Sequence, residues 1–183
     1  KIGNLSRAIT SLSTPETPVG PAVIGISEVE NLGVVEDLVS AVDSTLKAQG
    51  REPWGLRIVH HDSPDLRGID VALLYNPLFF EVGNVVPHRL VIPDDPDFIT
   101  RDQLCVSGSL LDVPVSFIVN HWPSRLGGQA ESSPLREAAG RLSRCIADSL
   151  WRVNPDQGIV MMGDLNDDPF DKSCAESFGA VRD

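Results

Sequence analysis

Apolar positions along the chain recur with two different periods. Leu5, Ala8, Ile9 and Leu12 follow helical spacing, and the Pro-, Thr- and Gly-rich stretch 13–21 then predicts a loop. A short apolar run, 22–26, predicts a buried strand that ends in Ser27, Glu28, Val29, Glu30 and Asn31. Val34, Val35, Leu38, Val42 and Leu46 then trace one face of a helix that Gly50 can close. Residues 56–60 and 69–75 predict two strands joined as a hairpin around a polar turn. Residues 87–103, with three prolines, several acids and little periodicity, predict a long excursion. Another strand, 113–120, leads into the polar, Gly-containing loop 121–128.

Pro134 suits the first turn of a helix over 134–152. Its 3.6-residue period predicts Leu135, Ala138, Leu142 and Ile146 against a sheet and Arg136, Arg141 and Arg144 in water. The apolar strand 158–162 ends in Gly163-Asp164-Leu165-Asn166-Asp167-Asp168-Pro169. No repeat or composition break divides the chain, so 1–183 reads as one α/β domain.

Composition narrows the classes. With 42% of 183 residues hydrophobic and no run of 18 apolar residues, the chain can build a core but not a membrane span. Fifteen Lys and Arg stand against 26 Asp and Glu, a formal charge of -11, so any grip on phosphate must be local. Cys105, Cys145 and Cys174 lack C-x-x-C spacing, which argues against a zinc knuckle or a disulfide framework and leaves the compartment open. The chain starts at Lys1 and enters helical spacing almost at once, as an excised or processed product would.

Polar residues follow the ends of three of the predicted strands. A hard cation such as Mg²⁺ takes carboxylates and water and keeps positions open for a substrate phosphate, a requirement that Glu28, Asp164 and Asn166 meet. Each alone could equally cap a helix or solvate a loop. An EF-hand reading of 164–175 fails, because Pro169 stands where Gly is needed and Ala175 where Glu is needed. In an extended segment Asp164 and Asn166 can face one cavity while Leu165 packs beneath. His60 and His61 point to opposite faces and cannot both bind one ion, so one is expected buried and bonded, the other exposed.

Four segments carry a family resemblance: Gly25-Ile26-Ser27-Glu28-Val29-Glu30-Asn31, Arg67-Gly68-Ile69-Asp70-Val71-Ala72-Leu73-Leu74-Tyr75, Asn120-His121-Trp122-Pro123-Ser124-Arg125 and Met162-Gly163-Asp164-Leu165-Asn166-Asp167-Asp168-Pro169. In order and interval they resemble the endonuclease/exonuclease/phosphatase family, most closely its bacterial members of unassigned substrate. The resemblance implies a deoxyribonuclease-like, four-layer, two-sheet sandwich flanked by helices, and hydrolysis of a phosphoester with Mg²⁺, or Mn²⁺ or Ca²⁺ in its place. It implies that Glu28 ligates the metal, that Asp164 orients or deprotonates water, and that Asn166 holds phosphate or that water. His121 would hydrogen-bond the scissile phosphate, Asn120 would support its loop, and Arg67 and Arg125 could neutralise phosphate charge. Thr100-Arg101-Asp102 also resembles a recurring segment of the bacterial members and is expected to be a salt-bridged loop anchor.

The family pattern opens with a strand ending in a metal-binding Asn and closes with an Asp-His motif, and neither occurs in this sequence. The chain is therefore expected to be a domain lacking both ends, inactive by itself, since a positioned acid or base is worth about 10²- to 10⁴-fold. The function expected of the parent protein is divalent-metal-dependent hydrolysis, a phosphodiesterase or nuclease first. The alternatives are a phosphomonoesterase on a small or lipid phosphate, or a catalytically silent binding module. Its partner would be a phosphoester, nucleic acid among the candidates.

Overall fold

The computed structural model describes residues 1–180. Helix α1 spans Ile2–Thr10, strand β1 Val23–Val29 and helix α2 Leu32–Ala48. Strands β2 (Arg57–His60), β3 (Asp70–Tyr75), β4 (Phe80–His88), β5 (Gln103–Leu110) and β6 (Val113–His121) follow. Helix α3 covers Gln129–Val153, strand β7 Gly158–Asp164, and a short π-helical segment Ser173–Phe178 closes the described chain.

Two sheets form, one ordered β1-β3-β2 and one ordered β4-β5-β6-β7. All pairs are antiparallel except β6 and β7, which run parallel across the α3 crossover. Strand β3 shows how alternation builds the layers. Val71 and Leu73 point between the sheets to Phe80, Leu104, Val106, Phe117 and Val119. Ala72 and Leu74 point the other way, to Ile9, Val35, Leu38, Val42 and Leu46 of the first two helices. On the far side of the second sheet, Cys105 and Ile118 meet Ile146 of α3. Helix, sheet, sheet and helix give the four-layer sandwich that the resemblance implied. Among the described residues no helix is long and apolar enough to cross a membrane.

Local chemistry explains the element ends. The Asn31 side chain accepts the Val34 N–H at 3.0 Å and caps α2. Gly50 (φ 69°) ends it in the left-handed region as expected. Leu111 and Asp112, both left-handed, form the two-residue turn between β5 and β6.

Two expectations fail in α3. Pro134 lies inside the helix rather than in its first turn, because Gly128 caps a start at Gln129 and the Ser132 hydroxyl bonds back to the Gly128 carbonyl. Arg136, expected in water, is wholly buried. The inward stripe is Ser132, Arg136, Ala139, Gly140, Ser143, Ile146 and Ala147, rotated from the one centred on Leu135, Ala138 and Leu142, which are half-buried. Small residues bring α3 close to its neighbours: a Cβ on Gly140 would strike the Ser173 carbonyl, and Ser143 Oγ donates to Gln103 Oε1 at 2.8 Å. Ile146, Arg141 and Arg144 lie as expected. Strands β4 and β5 were not predicted; β5 and the end of β4 narrow the excursion to 89–102.

Candidate active site

The ends of β1, β6 and β7 supply the residues singled out from sequence. In β1 the register slips between Ser27 and Val29, leaving Glu28 as a bulged residue at φ 59°. Glu28 is exposed there, and among the described residues its carboxylate makes no hydrogen bond or salt bridge. A glutamate held in the left-handed region is a strained position of the kind that concentrates at functional sites.

His121 and Asp164 are register partners across β6 and β7, and the Trp122 N–H extends the pairing to the Asp164 carbonyl at 2.9 Å. Asp164 Oδ1 accepts the Asn166 N–H at 2.9 Å, a turn that sets Asn166 at φ 54°. The Asn166 side-chain amide donates to the Trp122 carbonyl at 3.0 Å, where Arg101 also donates at 2.7 Å. One carbonyl thus ties Asn166 and Arg101 to the residue beside His121. The loop 163–168 and Arg125 border an open cleft of about 560 Å³.

His121 is only 4% exposed, and its buried Nδ1 has no hydrogen-bond partner. Burial, helped by the charges of Arg101 and Arg67, pushes its pKa below the ordinary value, while Asp164 and Glu28 pull it back up. Two anions and two cations therefore act on one imidazole, and the ring is held neutral near pH 7.

The remaining sequence candidates take different places. Asn120 is completely buried beneath His121, donating to the Ile118 and Met162 carbonyls and accepting from Trp122 Nε1. It fixes the strand ends from below. Arg67 is half exposed, with Nε 3.9 Å from Asp65. Arg125 is heavily engaged: its Nε donates to the Asn166 carbonyl at 2.7 Å and its terminal nitrogen contacts Asp167, Asp168 and Asp171 at 3.1–3.5 Å. It shapes the loop that carries Asn166.

Two supporting pairs involve partners that the sequence did not identify, Asp65 and Asp167. Arg101 and Asp65, each 5% exposed at the side chain, pair at 3.1 Å and join the β2–β3 loop to Trp122. Thr100, Arg101 and Asp102 are all buried, so the segment is the anchor expected of it. Arg136 Nε lies 2.7 Å from Asp167 Oδ1, bent out of hydrogen-bond alignment, so charge attraction dominates that contact. The guanidinium also donates to Ser132 Oγ and to the Gln129 and Ser124 carbonyls. The helical period hid this residue, because a buried ion pair occupies an apolar-facing position.

His60 is buried and His61 exposed, as expected. His60, Asp62 and Asp70 cluster closely enough to share an ion. However, His60 Nε2 and Asp70 Oδ2 already pair at 3.0 Å, and Asp70 Oδ1 accepts the Ser63 N–H. Asp62 is almost fully exposed, so the group latches the β2–β3 ends together. For a hard divalent cation the donor chemistry fits better at Glu28 and Asp164, whose exposed carboxylate oxygens are less committed.

A two-sheet sandwich with carboxylates, an imidazole and an amide gathered at its strand ends is a deoxyribonuclease-like architecture. Residues 1–183 match the model of the Endonuclease/Exonuclease/phosphatase family, and the chain belongs to that family. It is similar in fold to truncated TDP2 of Caenorhabditis elegans (TM-score 0.62, 18% identity, covering 91% of this chain and 57% of that one). It is also similar to the human nocturnin catalytic domain with bound sulfate (0.62, 17%, 87% and 58%). ANGEL2, a 2',3'-cyclic phosphatase in complex with adenosine-2',3'-vanadate, matches at 0.66 and 15% identity, with 94% and 45% covered. The chain thus spans about half the length of these structures. No curated protein matches it in sequence.

Proposed function

We propose that the protein carrying this domain is a divalent-metal-dependent phosphoesterase that cleaves a phosphodiester by in-line attack of water. The observation that supports this reading best is the buried, unpartnered imidazole of His121 in the combined field of Glu28, Asp164, Arg67 and Arg101. Glu28 would ligate Mg²⁺, with Mn²⁺ or Ca²⁺ as substitutes, and the cation would supply charge compensation at the phosphoryl oxygens. The neutral His121 donates a hydrogen bond to the phosphate, and Arg67, with one face open, adds positive charge. Asp164 orients the attacking water and accepts its proton. Water forms the new P–O bond as the leaving oxygen departs with the bonding pair and takes its proton from solvent. Asn166, fixed by Trp122 and Arg125, keeps its side-chain oxygen to hold the attacking water.

A net charge of -11 favours a small phosphoester over a long polyanion, because the favourable charge is confined to a few arginines. The test is turnover of bis(4-nitrophenyl) phosphate by the full-length protein across a Mg²⁺ titration. Asp164→Asn should lower turnover by about 10²-fold or more at saturating metal. Glu28→Gln should be partly rescued by raised Mg²⁺, as a weakened ligand set requires. Near-parental turnover in Asp164→Asn would make that residue a structural cap. Hydrolysis of 4-nitrophenyl phosphate but not of the diester would turn the assignment to a phosphomonoesterase, and no turnover of either would leave a binding module.

A further inference from the structure

A second concavity, of about 290 Å³, is bounded by Leu66, Arg67, Phe98, Arg101, Leu126 and Leu135. It shares Arg67 and Arg101 with the candidate site, the same two cations whose charge acts on the imidazole. Apolar groups make up most of the remaining wall, beside the polar Asp65, Thr100, Ser124 and Ser132. Leu66 and Leu126 are 84% and 89% exposed, among the most exposed large apolar side chains of the described residues.

Neither leucine sits on a loose tip. The Leu66 loop is tied down on both sides: the Asp65 carboxylate takes the Arg101 guanidinium at 3.1 Å and the Arg67 N–H at 2.9 Å, and the Gly68 N–H closes the turn on the Asp65 carbonyl. Leu126 follows Arg125, which is bonded to the Asn166 carbonyl, and precedes Gly127 and Gly128, both left-handed. Two anchored loops from different sheets therefore hold apolar side chains out in water at the mouth of one pocket. Phe98 and Leu135 line it as half-buried groups. Isolated exposed leucines need no explanation, but a pair framing a pocket that adjoins a polar centre is the arrangement of a small-ligand site. Its volume lies near the lower end for such sites and suits one substituent rather than a polymer.

We propose that this pocket is the subsite for the uncharged, apolar alcohol portion of the phosphoester, seated between Leu66 and Leu126 while its phosphate lies against Arg67 and His121. The inference rests on the phosphoesterase reading and specifies its substrate class: a phosphate ester with an alkyl or single-ring substituent.

Binding of simple monoesters tests it without turnover. Calorimetric titration of the full-length protein, with Mg²⁺ present, compares inorganic phosphate with methyl, butyl, hexyl and phenyl phosphate. Affinity should rise along the alkyl series, by up to about fourfold for each methylene removed from water. In the Leu66→Ser/Leu126→Ser variant this rise should flatten, with inorganic phosphate binding unchanged. Both side chains are exposed, so the variant is expected to fold, and a matching melting temperature checks this. Phenyl phosphate outperforming hexyl would specify a ring, and the reverse a chain; both support the pocket. Equal affinity of methyl and hexyl phosphate, or a length dependence that survives the double substitution, would overturn the subsite while leaving the phosphate site standing. Failure of every phosphate, inorganic included, to bind would overturn the phosphoesterase reading and the subsite together.

Discussion

Removing Asp167 should destabilise the protein more than removing its buried partner. Arg136 is 0% exposed and Asp167 2% exposed at the side chain, 2.7 Å apart. In Asp167→Leu the guanidinium keeps Ser132 Oγ and two backbone carbonyls but loses its principal counter-charge in a place water cannot reach. Breaking a buried pair from one side costs about 3–5 kcal/mol. In Arg136→Met the cost falls toward the lower end, because Arg125 remains 3.3 Å from Asp167 and still neutralises it. The Arg136→Met/Asp167→Leu double variant replaces both charges by apolar side chains and should regain part of the loss, although Ser173 Oγ loses its Asp167 partner. Urea unfolding of all four full-length proteins closes a double-mutant cycle, with an expected coupling of about 2 kcal/mol or more, toward the upper end for residues in contact. The double variant should recover stability without recovering the full proposed phosphoesterase activity, since Asp167 follows directly on Asn166 and its pairing positions that loop. A coupling below about 0.5 kcal/mol, or equal losses in the two single variants, would refute the buried-pair account.

Three further outcomes are expected. Gly163→Ala should cause a large fall in melting temperature, because Gly163 sits at φ 126° and a Cβ there strikes the Asn120 carbonyl, whereas Gly50→Ala, at φ 69° with open space around it, should cost only about 1–2 kcal/mol. Arg101→Lys should fail to substitute for Arg101, since one ammonium cannot span Asp65 and the Trp122 carbonyl as the guanidinium does; urea unfolding should show a loss near that of Arg101→Met. His121, whose folded pKa lies below the ordinary 6.5, binds its proton more readily when unfolded; the stability this contributes is fully present above 6.5 and lost as pH falls through the folded value. Melting temperatures recorded between about pH 7.5 and 5 should fall less steeply for His121→Gln than for the parent protein, and identical slopes would contradict the assignment.

Elements with one clear period were legible from sequence. Helix α2 shows its buried face in Val35, Leu38, Val42 and Leu46, and β3 and β6 read as continuous apolar runs because both their faces are covered. Strand β4 was hidden because Gly83 interrupts its alternation at a register shift and Pro87 stands near its end, both of which read as loop signals. Strand β5 was hidden by Ser107, Gly108 and Ser109, which imitate a turn. Gly108 is required there instead, since any Cβ would collide with the Glu81 carbonyl of β4. At the candidate site, Glu28, His121, Asp164 and Asn166 could be named from strand ends and motif order. The pairs Arg101–Asp65 and Arg136–Asp167 could not, because pairing across 36 and 31 positions of chain leaves no local pattern.

The parallel pairing of β6 with β7 also bears on the order of folding. His121 and Asp164 meet only after α3 has crossed over and β7 has docked, closing a loop of some forty residues. Hairpins β2–β3 and β5–β6 and helix α3 can each form from near neighbours in sequence, but this contact cannot. On refolding, helical circular dichroism should therefore recover before the environment of Trp122, which lies at the junction of the two strands. The geometry of the candidate site would return only with that later phase, so a trapped, largely helical intermediate would contain every residue of the site and have no site.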